Sequence, residues 1–551
     1  MKATCQDIGV KNMYRGAAEK MRGIVTIAAS IAIIAVGLLS LPKGQGSQVY
    51  TGVLTWHNDN QRTGQNLGEI ILTPSNVNKV QFGKLATYPV DGQIYAQPLY
   101  VNNVTIPGQG VHNVVYVATE NDNVYAFDAD GLSATPLWQD SFINPDNGIT
   151  AVPCGATGAC TAIAPVFGIT GTPVIDGLSG TLYLVAFTAE NGTYVQRLHA
   201  LDITTGAEKF GGPVEIEASV PGTGGGSSGG MVKFDAIHES QRTALLLSKG
   251  IVYMGWGTFA YPPWHGWIMG YNAENLKQAV VFNDTPNGRR GGLWGSGAGF
   301  AADSDGFVYA VTGDGTFDGN TGGVDYGDSF LKLSPIPGGF SVPDYFTPSN
   351  QAYLSTNDLD IASGGAMLIP PQPGPYAHEI VGGGKEAIIY VLDRDGLGGY
   401  ATPDKTIQSI PTTAGGYWSS PAYWHNSVYY AGSSDTLSRY SITNGLLSTT
   451  PVTRSPISFK YPGATPAISA HGTQNGIVWL VSCAGLPKGG PPAVLYAFAA
   501  ANVAKVLYGS KQAGTRDQPG PGAKFAVPTI INGKVYIGTQ TDLDIYGLLP
   551  Q

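Results

Sequence analysis

A short unit returns eight times along the body of this chain, and it limits the fold more than any other feature. Each copy has a small or Pro-containing start, an alternating apolar strand with Tyr near its centre, a turn, and a second strand ending near Asp or Asn. The first copy reads Gln97-Pro98-Leu99-Tyr100, Val114-Val115-Tyr116-Val117-Ala118 and Val124-Tyr125-Ala126-Phe127-Asp128. The second starts at Gly171, and further copies start near Ala244, Gly299, Gly365, Ser420, Thr465 and Ala526. Alternation of period two between Gly/Asn/Asp turns predicts strands, and no stretch after residue 50 sustains helical periodicity over three turns. A repeat of about four strands buries its faces only against its neighbours, which is the condition a propeller blade meets. The expected fold is therefore all-β: an eight-bladed propeller of four-stranded antiparallel blades, with seven blades as the alternative count. The last copy, Ala526 to Leu549, lacks an outer strand; Phe82 to Val90 ahead of the first copy is expected to supply it, leaving no open edge.

Composition agrees. The 77 Gly and 37 Pro residues suit many turns, and 13% charged with 43% hydrophobic residues suits a packed core rather than disorder. Residues 1–47 carry six basic and two acidic side chains, so the net −9 of the whole chain leaves −13 on residues 48–551. A body that acidic repels phosphate backbones, which argues against nucleic acid as a partner. A small molecule or an extracytoplasmic protein is the expected partner instead.

Ile24 to Leu41 is an uncharged apolar run of 18 residues, preceded by Lys20 and Arg22 and followed by small residues at Gly44 to Ser47. That order is the order of a secretory signal, although the run also approaches the length that spans a bilayer. Residues 1–47 are read as a signal peptide or N-terminal anchor, and 48–551 as the propeller. A periplasmic or secreted location follows, with the membrane touched only through the leader. In an oxidising compartment, Cys154 and Cys160 can close the loop between them as a disulfide, whereas Cys483 follows a strand and is expected to be buried and inert. Gly222 to Gly230 is expected to be a mobile insertion.

The repeats resemble the eight-bladed propeller of pyrroloquinoline-quinone (PQQ) dependent alcohol dehydrogenases. The likeness rests on Trp56-His57-Asn58-Asp59-Asn60-Gln61-Arg62-Thr63-Gly64, on Leu72-Thr73-Pro74-Ser75-Asn76-Val77, and on blade endings such as Ala200 to Gly206 and Tyr390 to Arg394. It implies a quinone stacked on an aromatic floor, a calcium ion held by carboxylate and amide oxygens, and an Asp acting as base. On that resemblance Trp267 corresponds to the stacking tryptophan, and Asp314 to a calcium ligand. Asp358 corresponds to the catalytic Asp and is taken as a second calcium ligand, and Lys385 corresponds to a basic residue at the quinone.

Each also has a plain structural reading. Trp264 and Trp267 suit blade packing, and Asp314, Asp318, Asp328, Asp358 and Asp360 suit backbone-capping turns. Two departures weaken the site that the family would build. No two cysteines are adjacent, and Val166 occupies the place of a calcium-binding Glu. The expected function is accordingly a binding or scaffold module with a degenerate cofactor site, the alternative being a PQQ- and calcium-dependent dehydrogenase of an alcohol or sugar.

Overall fold

The computed structural model describes residues 48–131, 133–258, 261–483 and 490–550. The leader, with the signal or anchor expected of it, lies outside the described residues. Eight blade sheets, antiparallel but for two short parallel pairings, follow one another along the chain, and a separate two-stranded ribbon, Ser219–Pro221 with Met231–Lys233, accompanies them. Blade 1 is Leu99–Ile106, Gly110–Ala118, Asn123–Asp128 and Trp138–Ser141. Blades 2 to 7 begin with Val174–Asp176, Leu246–Ser248, Ala301–Ala302, Met367–Leu368, Ala422–Tyr423 and Ala467–His471. Blade 8 is built from Thr529–Ile531, Lys534–Gly538 and Asp542–Leu548, and Phe82–Pro89 pairs antiparallel with Asp542–Leu548 as its outer strand. The chain is thus an eight-bladed propeller sealed by an N-terminal strand, and the longest α-helix among the described residues is the six-residue Gln351–Thr356.

Alternation explains the packing. One face of each blade meets the next in a separate apolar cluster. Leu99, Val114 and Val124 of blade 1 pack on Ile175, Leu182 and Leu201 of blade 2. The series closes where Tyr536 and Ile545 of blade 8 meet Val115 and Phe127 of blade 1. Such burial stabilises by roughly 25 cal/mol per Å² of apolar surface, so the ring is held by its interfaces rather than by any one core. The recurring Tyr has its own cause: its ring fills the interface while its hydroxyl caps a carbonyl of the next blade. Tyr116 donates to Ile203 O at 2.9 Å, Tyr183 to Ala273 O at 2.6 Å, Tyr429 to Ala500 O at 3.0 Å, and Tyr536 to Ala129 O at 2.7 Å.

The segment before blade 1 forms a hub. Val53 pairs with Tyr100 of blade 1, and Leu54 O accepts from Ile175 N of blade 2. Asn60 bonds Leu247 O of blade 3 and Ala302 N of blade 4. Gln61, Thr63 and Gly64 accept from Leu368, Tyr423 and Ile468 of blades 5, 6 and 7, and Asn66 donates to Ile530 O of blade 8. Fifteen residues, 52–66, therefore touch the innermost strand of every blade in turn. Arg62, 0% exposed, is the hub's pin: its guanidinium donates to Phe300 O at 2.7 Å, Thr55 Oγ1 at 2.8 Å and Trp56 O at 2.9 Å. The Gly222–Gly230 insertion is less free than its composition predicts. Gly224 N and Gly225 N donate to Pro286 O and Gly288 O, and His265 bonds Gly225 O.

Candidate functional site

Loops between blades converge on a cavity of about 400 Å³. Its acidic side combines three carboxyl groups. Asp314 follows the second strand of blade 4, Val308–Val311. Asp358 and Asp360 lie between blades 4 and 5, just ahead of the short helical turn at Ile361–Ser363, of which Asp360 is the N-cap. One oxygen from each of the three lies within 4.8 Å of the others. Lys385, just after Glu379–Gly383 of blade 5, places Nζ 2.6 Å from Asp358 Oδ1 and 2.6 Å from Asp360 Oδ2. Arg290, between blades 3 and 4, places Nη1 2.8 Å from Asp314 Oδ2. Two of these residues, Asp358 (φ 55°) and Arg290 (φ 64°), sit in the left-handed backbone region, a strained choice for a non-glycine that recurs at functional sites.

Electrostatics make the cluster cation-seeking. Burial, then the neighbouring Asp360, pushes the Asp314 carboxyl up to about 7. Asp328 stands behind the cluster; burial, then Asp360 and Asp314, pushes it up to about 8. Its Oδ1 is buried with no hydrogen-bond partner. Burial pulls Lys385 down, but Asp360 and Asp358 outweigh it and leave the ammonium above its ordinary value. Four carboxyl groups thus face two cationic side chains, and a positive ion would relieve the excess.

The remaining walls are aromatic and small. Trp264, Trp294 and Phe167 line the cavity, as do Gly158, Ala159, Thr161 and Ala162 of the loop between blades 1 and 2. That loop carries the Cys154–Cys160 disulfide, with a Cα separation of 4.9 Å. Cys483 is the free, buried thiol among the described residues, its pKa pushed up by burial to about 12.

Of the positions singled out in the sequence, Asp314, Asp358 and Lys385 come together here. Trp267 does not line the cavity. It opens the strand Trp267–Asn272, is 0% exposed, and meets Phe234 edge-on within the apolar cluster between blades 2 and 3. Trp264, three residues earlier in the loop, presents an indole to the cavity instead. Val166 lines a different groove, beside Glu120 and Gln540. Sequence reasoning left Asp360 and Asp328 among ordinary turn residues and did not single out Arg290. The signal that could have marked them is the concentration of charged residues in inter-blade loops of a chain with so few.

The residues present suit two kinds of guest. Hard carboxylate oxygens at this spacing suit a hard cation. Indole walls with Arg290 and Lys385 at one side suit a flat anionic ring system.

Neither a protein-family model nor a curated protein sequence matches the chain. Solved structures do. The quinohemoprotein alcohol dehydrogenase of Pseudomonas putida aligns with a TM-score of 0.56 at 14% identity, over 90% of this chain and 80% of that one. A europium-containing methanol dehydrogenase aligns with a TM-score of 0.57 at 13% identity, over 90% of this chain and 98% of that one. At such identities the likeness concerns the fold.

Proposed function

We propose that this propeller is a cation- and quinone-dependent dehydrogenase of alcohols or sugars, working outside the cytoplasm after export by its leader. The observation that carries the reading is the convergence of Asp314, Asp358 and Asp360 with Lys385 in one aromatic-walled cavity. Asp314 and Asp360 would hold the cation, and the Asp358 carboxyl close by adds to the field that favours a highly charged ion. Calcium is one choice and a trivalent ion such as europium, named for one structural neighbour, is another. Trp264 and Trp294 would flank PQQ, with Arg290 and Lys385 balancing its negative charge. A bound quinone polarised by the cation supplies the hydride-accepting centre.

The chain's own residues do the rest. Asp358, its side chain 77% exposed at the cavity rim, would take the hydroxyl proton of an entering alcohol as general base. Lys385 donates to that carboxyl and holds it in position. Burial of Asp360 beneath it, at 10% side-chain exposure, suits a ligand rather than a base. No CxxCH haem-attachment motif is present in the sequence, so electrons would leave to an external acceptor.

Reconstitution tests the proposal. Metal-free protein is titrated with PQQ and either Ca²⁺ or Eu³⁺, following quinone absorbance and then dye reduction with primary alcohols and sugars. Dye reduction that disappears in Asp358→Ala while quinone absorbance stays is the expected result. Absence of quinone binding would overturn it. Bound quinone without turnover of any substrate would favour a binding module. N-terminal sequencing of the protein recovered outside the cytoplasm tests the export.

A further inference from the structure

Arg242 leads into the innermost strand of blade 3 and is 1% exposed. Its Nη2 is buried without a hydrogen-bond partner, and none of the described carboxylates forms an ion pair with it. Three rings surround it instead: Phe525 at 5.0 Å, Tyr95 at 5.6 Å and Trp294 at 5.7 Å from its Cζ. Phe525 holds φ at 62°, a left-handed backbone costly for an aromatic residue, and so keeps its ring over the guanidinium.

Lys524, the preceding residue, is 8% exposed. Its Nζ donates to Thr161 O at 2.9 Å and sits 5.9 Å from the Tyr461 ring. Burial, then the charge of Arg242, lowers the Lys524 ammonium below its ordinary value, so the two cations feel one another. Glu120 is the carboxyl whose charge reaches Arg242; its Oε2 accepts from Gly168 N and Thr170 Oγ1, its Oε1 is buried with no hydrogen bond to Arg242 or any other group, and burial pushes its pKa up to about 7.

Two buried cations with donors to spare are an expensive arrangement unless an anion completes it. Their place in the molecule indicates where that anion comes from. Trp294, against which Arg242 packs, and Thr161, which accepts from Lys524, both line the cavity described above. Tyr95 Oη reaches Ala162 O, another lining residue, at 3.4 Å. We propose that Arg242 and Lys524 form an anion site behind the inner wall of the cavity, selective for a carboxylate group. Its chemistry is that of a guanidinium and an ammonium closing on one carboxylate. The carboxylate is supplied either by a free small acid or by a larger ligand seated in the cavity. The site does not depend on the dehydrogenase reading.

The test uses full-length, metal-free protein titrated with sodium acetate at constant ionic strength, read by thermal midpoint and by broadening of the acetate NMR line. A saturable rise in midpoint is expected for the wild type. Lys524→Met should weaken acetate at least roughly tenfold, and Arg242→Met should abolish the response. No saturable response in the wild type, or an unchanged one in Arg242→Met, overturns the site. If Arg242→Met does not fold, Lys524→Met decides: unchanged acetate affinity overturns it. A final arm adds PQQ. Competitive displacement of acetate identifies the carboxylate as that of a cavity ligand, and independent binding identifies a separate small-acid site.

Discussion

Lys385 Nζ stands 2.6 Å from Asp360 Oδ2 while the same nitrogen stands 2.6 Å from Asp358 Oδ1. One ammonium therefore ties a buried carboxyl to an exposed one, and the two have separate work to do. Removing the ammonium releases the Asp358 carboxyl from that tether without removing a metal ligand. In Lys385→Gln, turnover of the reconstituted enzyme should fall by about tenfold to a hundredfold while cation affinity changes little. Unchanged turnover would remove Lys385 from that role.

Asp360→Asn and Asp358→Asn should differ. Loss of a buried hard ligand weakens a cation site, so Asp360→Asn is expected to lower Ca²⁺ or Eu³⁺ affinity by about tenfold or more. Asp358→Asn should lower turnover far more than affinity. Calorimetric titration of the metal into both variants, beside dye-reduction assays, separates them.

Cation affinity should fall with acid. Asp314 is held near 7 by burial and Asp360, so below that pH an incoming cation must displace a proton from it. Affinity is expected to rise by up to about tenfold per pH unit between pH 5 and 7 and then flatten. Asp314→Asn should bind more weakly and lose most of the slope.

His57 ties the stability of the fold itself to pH. Burial, with a contribution from the Arg62 charge, lowers it to about 4. The unfolded chain takes up a proton at its ordinary value while the folded hub does not, so its contribution to stability is present above the unfolded pKa and is lost as pH falls toward 4. The loss is about 3 kcal/mol at most by that shift. Denaturant titrations of the wild type and His57→Asn from pH 7 to 4 should converge as the pH drops.

The disulfide links residues only six apart, so its effect on global stability is small, about 2 kcal/mol by loop closure. Its local effect should be larger, because Gly158 and Ala159 inside the loop form part of the cavity wall. Cys154→Ser with Cys160→Ser is expected to leave circular dichroism unchanged, to sensitise residues 154–162 to proteolysis, and to weaken any cavity ligand.

Much of the ring was legible because a blade is a local pattern. Tyr116, Tyr183 and Tyr536 recur at matching places since each must reach the next blade's carbonyl, and spacing alone exposes that. Phe82–Pro89 could be assigned to blade 8 because a missing strand there and a spare one upstream have a single solution. The cavity was less legible. Its residues arrive on separate inter-blade loops, so no window of sequence holds Asp314, Asp360 and Arg290 together. Trp264 and Trp267 illustrate the limit. Only His265 and Gly266 separate them, and which indole faces the cavity depends on where the strand begins, a boundary that alternation does not fix.

The sealing strand also sets the order in which the molecule can be made. Phe82–Pro89 is synthesised early, but its partner Asp542–Leu548 is among the last segments to appear. Throughout chain growth this strand is consequently an unsatisfied edge, and residues 52–66 have no completed circle to brace. Ring closure is the final and most non-local event of folding, and a chain truncated before Asp542 would leave both ends of the circle adhesive.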